Sequence, residues 1–306
     1  MTERETTIEA EAEITIESLV GNRTPALIFD QNNILHLLLD RASVLDRTYL
    51  CPLKNAFIVE AVLRASIRAG SLNLTATSGL NPLVIEKWHN KPDLERDPNL
   101  EAAKIARKVA GEKGFVGGVI SPTIGIEYMW DLQDQFVRSV VRQAESLRSG
   151  GVSYYLYKFS NIWLFRRIID GIAFSDKRQG NKPLPIIFTF PIKESSKIPQ
   201  LVKVVQETNR VLAAGITLDF DELQESLWEI RELKAKLGNT PLVVMLYGRY
   251  KYSGTKIVPV LKADHIYWII QELAKRGVSI VGLTNGVDLS SVKELVKYQQ
   301  LLAKFC

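Results

Sequence analysis

The chain has 306 residues, 46% of them apolar and 24% charged, the balance of a folded globular protein rather than a disordered one. Its net charge is +5, but residues 1–20 carry six glutamates against Arg4, so the remainder stands at +10 and favours anionic ligands such as phosphates or nucleic acid. Two cysteines, Cys51 and Cys306, exclude a disulfide framework. No apolar run reaches the roughly 18 residues of a membrane span, and the acidic start is unlike a secretory signal, so a cytoplasmic protein is expected.

In chain order, residues 1–12 read as a polar tail. Short apolar runs at 14–16 and 26–29, separated by a turn at 20–24, predict a β-hairpin, and 34–45 a short helix. Residues 1–46 are thus expected to form an N-terminal extension. From residue 47 the chain alternates. Strands are expected at 49–53, 72–77, within 116–128, and at 152–158, 186–190, 216–220, 242–247 and 278–283. Helices fall between them at 54–69, 100–110, 131–147, 162–173, 198–214, from 221, at 264–275 and at 289–303. In the first of these, Glu60, Arg64 and Arg68 stand four apart on one exposed stripe. Seven helices run into a glycine (Gly70, Gly114, Gly150, Gly180, Gly215, Gly238, Gly277) that can close the last turn in the left-handed conformation.

Eight β/α units over roughly 250 residues are the arithmetic of an α/β (β/α)8 TIM barrel, here residues 47–306. An open doubly wound sheet would carry a glycine-rich phosphate loop after its first strand. The turn Pro52-Leu-Lys-Asn55 is not one, and no such motif occurs elsewhere. The two longest strand-to-helix connections, 78–98 and 248–262, fall on the C-terminal face, where barrels build their sites.

Candidate site residues follow from that orientation. Lys158 ends a strand, where an amine can form a Schiff base or hold an anion. Glu127 and Asp219, near other strand ends, are candidate acid and base, although Asp219 or Asp221 equally suits a helix cap. Arg249 and Lys251, in a run with three tyrosines and no acid, suit phosphate clamping or base stacking. Thr284, Asn285 and Gly286 precede the last helix, a recurrent phosphate position. Ser78 offers a hydroxyl at the mouth of the second strand. The histidines, His36, His89 and His265, show no metal-ligand spacing, so no metal site is expected, and the sequence names no cofactor.

Two segments resemble class II aldolase-like (β/α)8 barrels. Asn55-Ala-Phe-Ile-Val-Glu-Ala-Val-Leu-Arg-Ala-Ser66 with Leu72-Asn-Leu-Thr-Ala-Thr-Ser78 is similar to their first helix and second strand. Leu218-Asp-Phe-Asp-Glu-Leu223, Thr240-Pro-Leu-Val-Val-Met245 and Gly277-Val-Ser-Ile-Val281 through Asp288-Leu289 are similar to their last three units. The resemblance implies a barrel with a phosphorylated ligand. It does not extend to the family's metal: Met245 stands in place of a histidine after strand seven, and Ser121-Pro122-Thr123 in place of an Asp-His pair. The expected function is therefore a zinc-free, aldolase-, lyase- or isomerase-like enzyme for a small phosphorylated or carboxylated metabolite, acting as a homo-oligomer away from membranes. A basic nucleic-acid-binding protein and a barrel without catalysis, in a structural or regulatory role, are the alternatives.

Overall fold

The computed structural model describes residues 25–29, 51–71, 73–76, 81–83, 96–112, 114–120, 130–158, 162–192, 198–248, 250–253, 256–259, 263–284, 290 and 292–297. Ten strands are described: β1 (Ala26–Phe29), β2 (Asn73–Thr75), β3 (Phe115–Ile120), β4 (Tyr154–Lys158), β5 (Ile186–Pro191), β6 (Val211–Asp219), β7 (Leu242–Tyr247), β8 (Tyr250–Ser253), β9 (Lys256–Pro259) and β10 (Val278–Leu283). Eight of them form one parallel sheet in the order β1-β10-β7-β6-β5-β4-β3-β2. The sheet curls until β1 meets β2, where the buried Asn73 amide donates to the Leu27 carbonyl at 3.2 Å and bridges the seam. The fold is a (β/α)8 barrel.

Its outer layer comprises α1 (Cys51–Lys54), α2 (Ala56–Arg68), α3 (Pro98–Ala110), α4 (Gln133–Ser149), α5 (Ile162–Arg178), α6 (Ile198–Gln206), α7 (Leu227–Leu237), α8 (Ala263–Ala274) and helical residues 292–297. Local chemistry sets these helices. Asp97 caps α3 by accepting from Asn99 N at 2.8 Å, and Pro98 occupies the first turn, where its missing N–H costs nothing. Phe136, Val140, Gln143, Ala144 and Leu147 recur every three or four residues along α4 and bury one face on the sheet. None of the described helices is long and apolar enough to cross a membrane.

The strands bury both faces, as a parallel sheet inside a helix layer requires. Alternation splits them cleanly. Leu27, Leu74, Val116, Tyr155, Phe188, Ile216, Val244 and Val281 pack outward against the helices, whereas Ile28, Val119, Tyr154, Leu156, Ile187, Ala213, Val243, Met245 and Ile280 fill the barrel interior.

Four expectations are corrected. The first barrel strand is β1, paired in parallel with β10 from Ala26↔Ile280 to Phe29↔Leu283. Residues 51–53, expected as the end of a strand at 49–53, belong to the helical turn Cys51–Lys54: Asn55 N bonds Cys51 O at 2.8 Å, and Pro52 is tolerated in a first turn. The barrel therefore takes in residues assigned to the N-terminal extension; the other hairpin arm and the helix at 34–45 lie outside the described residues. The helix expected over 198–214 stops at Gln206. Thr208 then folds its hydroxyl back onto Val204 O at 2.7 Å, and Val211 enters the ladder with Ile186. The helix expected from 221 begins at Leu227, after a single tight turn at Phe220–Glu222. The loop 248–262 contains the antiparallel pair β8–β9.

Of the seven glycines, Gly70, Gly180, Gly238 and Gly277 take positive φ at helix ends. Gly111 and Gly151 do so in place of their neighbours Gly114 and Gly150. Gly215 is no helix stop. It sits inside β6, where a Cβ would lie 1.7 Å from the Val243 carbonyl oxygen.

The N-terminal face is fastened by guanidinium groups. Arg107 donates to Gly151 O at 2.8 Å, to Gly111 O and Gly114 O at 2.9 Å, and to Ser153 Oγ at 2.6 Å, so it ties the turns before β3 and β4 together. The buried Asp176 receives Arg148 on one oxygen and Arg210 on the other, each at 2.7 Å, while Arg210 also holds Leu184 O. Tyr155, packed beside this cluster and donating to Ala144 O, has its phenol pushed up by burial and then by the Asp176 charge.

Two substitutions test these features. Gly215→Ala meets backbone rather than a side chain and is expected to lower stability by the upper end of about 1–3 kcal/mol or more, read by urea melting. Asp176→Asn leaves two half-buried guanidiniums with one neutral partner and is expected to lower stability by roughly 3 kcal/mol, the lower end of the cost of breaking a buried pair. A melting curve within about 0.5 kcal/mol of wild type would mean that the cluster is solvated in solution.

Candidate active site

Following the inward positions toward the strand ends takes the interior from apolar to polar. On β4 they run Tyr154, Leu156, Lys158; on β5 Ile187, Thr189, Pro191; on β6 Ala213, Gly215, Thr217, Asp219. On β7 they run Val243, Met245, Tyr247, and from β10 onward Ile280, Gly282, Thr284. The last inward members on four of these strands are thus Lys158, Asp219, Tyr247 and Thr284, with Thr189 and Thr217 just below. All lie at the C-terminal mouth, the face where β/α loops converge.

The register sets their neighbours. Lys158 stands opposite Thr189, Thr189 opposite Gly215, and Asp219 opposite Tyr247. Thr284 continues the ladder by donating its N–H to Leu246 O at 2.9 Å. Thr217 Oγ1 donates to Thr189 Oγ1 at 3.1 Å across β5 and β6. Lys158, Thr217 and Tyr247 are half-buried; Thr189, Asp219 and Thr284 are buried. The Asp219 carboxylate accepts from Asp221 N at 3.1 Å and so caps the turn that leads toward α7. The second role that the sequence allowed it is therefore filled, and its carboxylate is held in place at the mouth.

Beneath this layer the barrel is plugged. Met245 is fully buried, and its sulfur lies 1.9 Å from where a Cβ on Gly282 would be. Gly282 makes room for the thioether, which explains methionine at a position where the resembled family has a metal-binding histidine: here it is a floor, not a ligand. No three His, Cys, Asp or Glu side chains converge among the described residues. Cys51 is a packed thiol in α1, pushed up to about 11 by burial, and so is no nucleophile at neutral pH. A cleft of about 650 Å³ lined by Leu227, Trp228, Arg231, Glu272, Lys275 and Arg276 lies outside the barrel between α7 and α8, away from the mouth.

The structure thus brings Lys158, Asp219 and Thr284 to one face. Lys251 lies on β8, in register with Val258. Glu127, Arg249, Asn285, Gly286 and Ser78 lie outside the described residues. Sequence reasoning missed Thr189 and Thr217, and took Tyr247 only as one of the three tyrosines in the run that follows the strand. The signal that finds them is parity: each is polar, inward by alternation, and close to the C-terminal end of an otherwise apolar strand.

No family model matches the chain, and no curated protein matches it in sequence. Solved structures do match in fold. The oxidised form of the homocysteine methyltransferase MmuM from Escherichia coli superposes with a TM-score of 0.68 at 15% identity, over 92% of this chain and 97% of that one. A methyltransferase from Methanosarcina mazei gives 0.60 at 13% identity, over 95% and 99%. Dihydrodipicolinate synthase from Rhodopseudomonas palustris gives 0.52 at 11% identity, over 96% and 80%. At such identities the likeness is one of fold, and the specific likeness to class II aldolases has no counterpart among these structures.

The double role of Asp219 separates by substitution. Asp219→Ala removes the cap and is expected to cost about 0.5–2 kcal/mol in thermal melts, whereas Asp219→Asn keeps an acceptor oxygen and stays closer to wild type. Equal melting of Asp219→Ala and wild type would show that the cap contributes nothing.

Proposed function

We propose that this protein is a barrel enzyme that binds a small carboxylated or phosphorylated metabolite at its C-terminal mouth and acts on it as a lyase or isomerase. The observation that carries the reading is the change of the barrel interior from a close-packed apolar floor to Lys158, Thr217, Asp219, Tyr247 and Thr284 over one layer of inward positions. Polar side chains that converge on the mouth of a rigid barrel stand where substrates bind in this architecture, and a half-buried lysine there is placed to meet an anion or a carbonyl. The neighbouring folds, methyltransferases and a dihydrodipicolinate synthase, support the reading of a barrel enzyme.

In this reading Lys158 holds the substrate's anionic group or attacks its carbonyl. Asp219, fixed by its bond to Asp221 N, exchanges a proton with the substrate. Glu127 is a second candidate acid or base. Arg249, Lys251, Ser78 and the turn at Thr284, Asn285 and Gly286 supply further anion donors.

Thermal stabilisation by a panel of sugar phosphates and small carboxylates tests the reading, since a ligand at a hundredfold its Kd stabilises by about 2.7 kcal/mol. At least one compound is expected to raise the melting temperature of wild type and not of Lys158→Met. Sodium borohydride then reports on the chemistry. An imine, formed when the amine adds to a carbonyl and water leaves, is reduced to a secondary amine whose mass marks Lys158. Stabilisation that survives in Lys158→Met would place the site elsewhere.

A further inference from the structure

The Thr189–Thr217 pair has more hydrogen-bonding capacity than the protein uses. Two hydroxyls carry two protons, and the pair shares one hydrogen bond, of 3.1 Å. Neither side chain makes any other among the described residues. One proton is therefore left without an acceptor among the described residues. Hydroxyl hydrogens rotate, so the buried Thr189 can donate to Thr217, and the half-buried Thr217 then offers its own proton to the mouth. A structural cross-strand threonine pair needs only the shared bond.

The surroundings say what would accept that proton. Lys158 lies opposite Thr189 in the ladder, on strands about 4.8 Å apart, and Thr217 stands one strand further on, on β6, so the lysine stem reaches across β5 to share a ligand with that hydroxyl. Below them Leu156, Ile187, Val243 and Met245 are fully buried and apolar and offer no donor. A phosphate seated here would leave two of its oxygens against that floor, an expensive burial. A carboxylate has two oxygens, one for Lys158 and one for the hydroxyl pair.

We infer that Thr217, backed by Thr189, and Lys158 form a subsite for the carboxylate of the substrate. The inference rests on the mouth being the active site, and it narrows the substrate to a carboxylic acid whose charged end lies against β4, β5 and β6. Thr217 is the specificity-determining contact, and Thr189 is a positioning residue that orients its hydroxyl.

Protection of Lys158 from acylation tests this. Wild type is labelled with N-hydroxysuccinimidyl acetate and Lys158 is followed by peptide mass spectrometry, in graded propionate or in inorganic phosphate at matched ionic strength. Propionate is expected to slow Lys158 labelling in a saturable way, and phosphate is not. Thr217→Val should raise the protective concentration of propionate roughly tenfold, the scale of a hydrogen bond to a charged group, while Thr217→Ser restores it. The inference falls if phosphate protects as well as propionate does, if Thr217→Val protects at the wild-type concentration, or if no salt slows labelling. Protection by propionate without turnover of any carboxylic acid would retire the enzyme reading and leave the subsite standing. Turnover of a phosphorylated compound without propionate protection would do the reverse.

Discussion

The interior of a closed eight-stranded barrel is a fixed volume, and filling it is the constraint on which the rest of this molecule depends. Large and small side chains must alternate around the ring at each level. Tyr154 fills the space that a side chain on Gly117 would take, and Met245 the space beside Gly282. At Gly215 the limit is the neighbouring strand itself, whose Val243 carbonyl leaves no room for a methyl group. These glycines answer a demand of packing. Once the lower layers are full, polar side chains such as Thr189, Thr217, Lys158 and Asp219 gather at the last one or two inward positions of the strands. The location of the candidate site is thus a consequence of how the core is filled.

The opposite end solves a different problem. Where helices turn back into strands, carbonyl groups are left without partners as the chain reverses. Arg107 gathers three of these carbonyls with one guanidinium, and Arg210 and Arg148 combine carbonyls with the carboxylate of Asp176. Burial lowers the tendency of Arg107 to hold its proton, but an arginine keeps its charge through any ordinary pH. A lysine has one tetrahedral head and could not serve carbonyls from several turns at once. The N-terminal face is therefore the rigid base, and at the strand ends opposite the structural bonds are fewer, the Asp219 cap among them.

Much of this architecture was legible from residue pattern. β7 and β10 coincide with their expected spans because each is an apolar run bounded by a glycine turn and a polar tip. Two failures share a physical cause, the override of local pattern by tertiary pairing. Val211 through Ala214 continues the apolar rhythm of α6, and alanine favours a helix. The chain nonetheless extends there, because the ladder with β5 takes up its backbone from Val211 and the ladder with β7 joins at Ala214. Ala26–Phe29 reads as a hairpin arm because its neighbour in sequence lies close by, whereas its partner in the sheet is about 250 residues away, a pairing no local signal encodes.

The candidate site was half legible, for a related reason. Lys158 announces itself, since a cation at the end of an apolar strand interrupts a pattern. Asp219 does so less clearly, because the same residue type begins turns and caps, and here it does both. Thr189 and Thr217 carry no such mark. Threonine is among the residues that favour strands, and a β-branched residue within a strand looks like packing. What distinguishes these two is knowledge of the register, which places them diagonally on adjacent strands, facing inward, within hydrogen-bond reach near the mouth. A candidate hydroxyl of this kind becomes visible only when its protons are counted against the acceptors that the fold supplies. In this barrel that count comes out one acceptor short at the position where a lysine stands alongside.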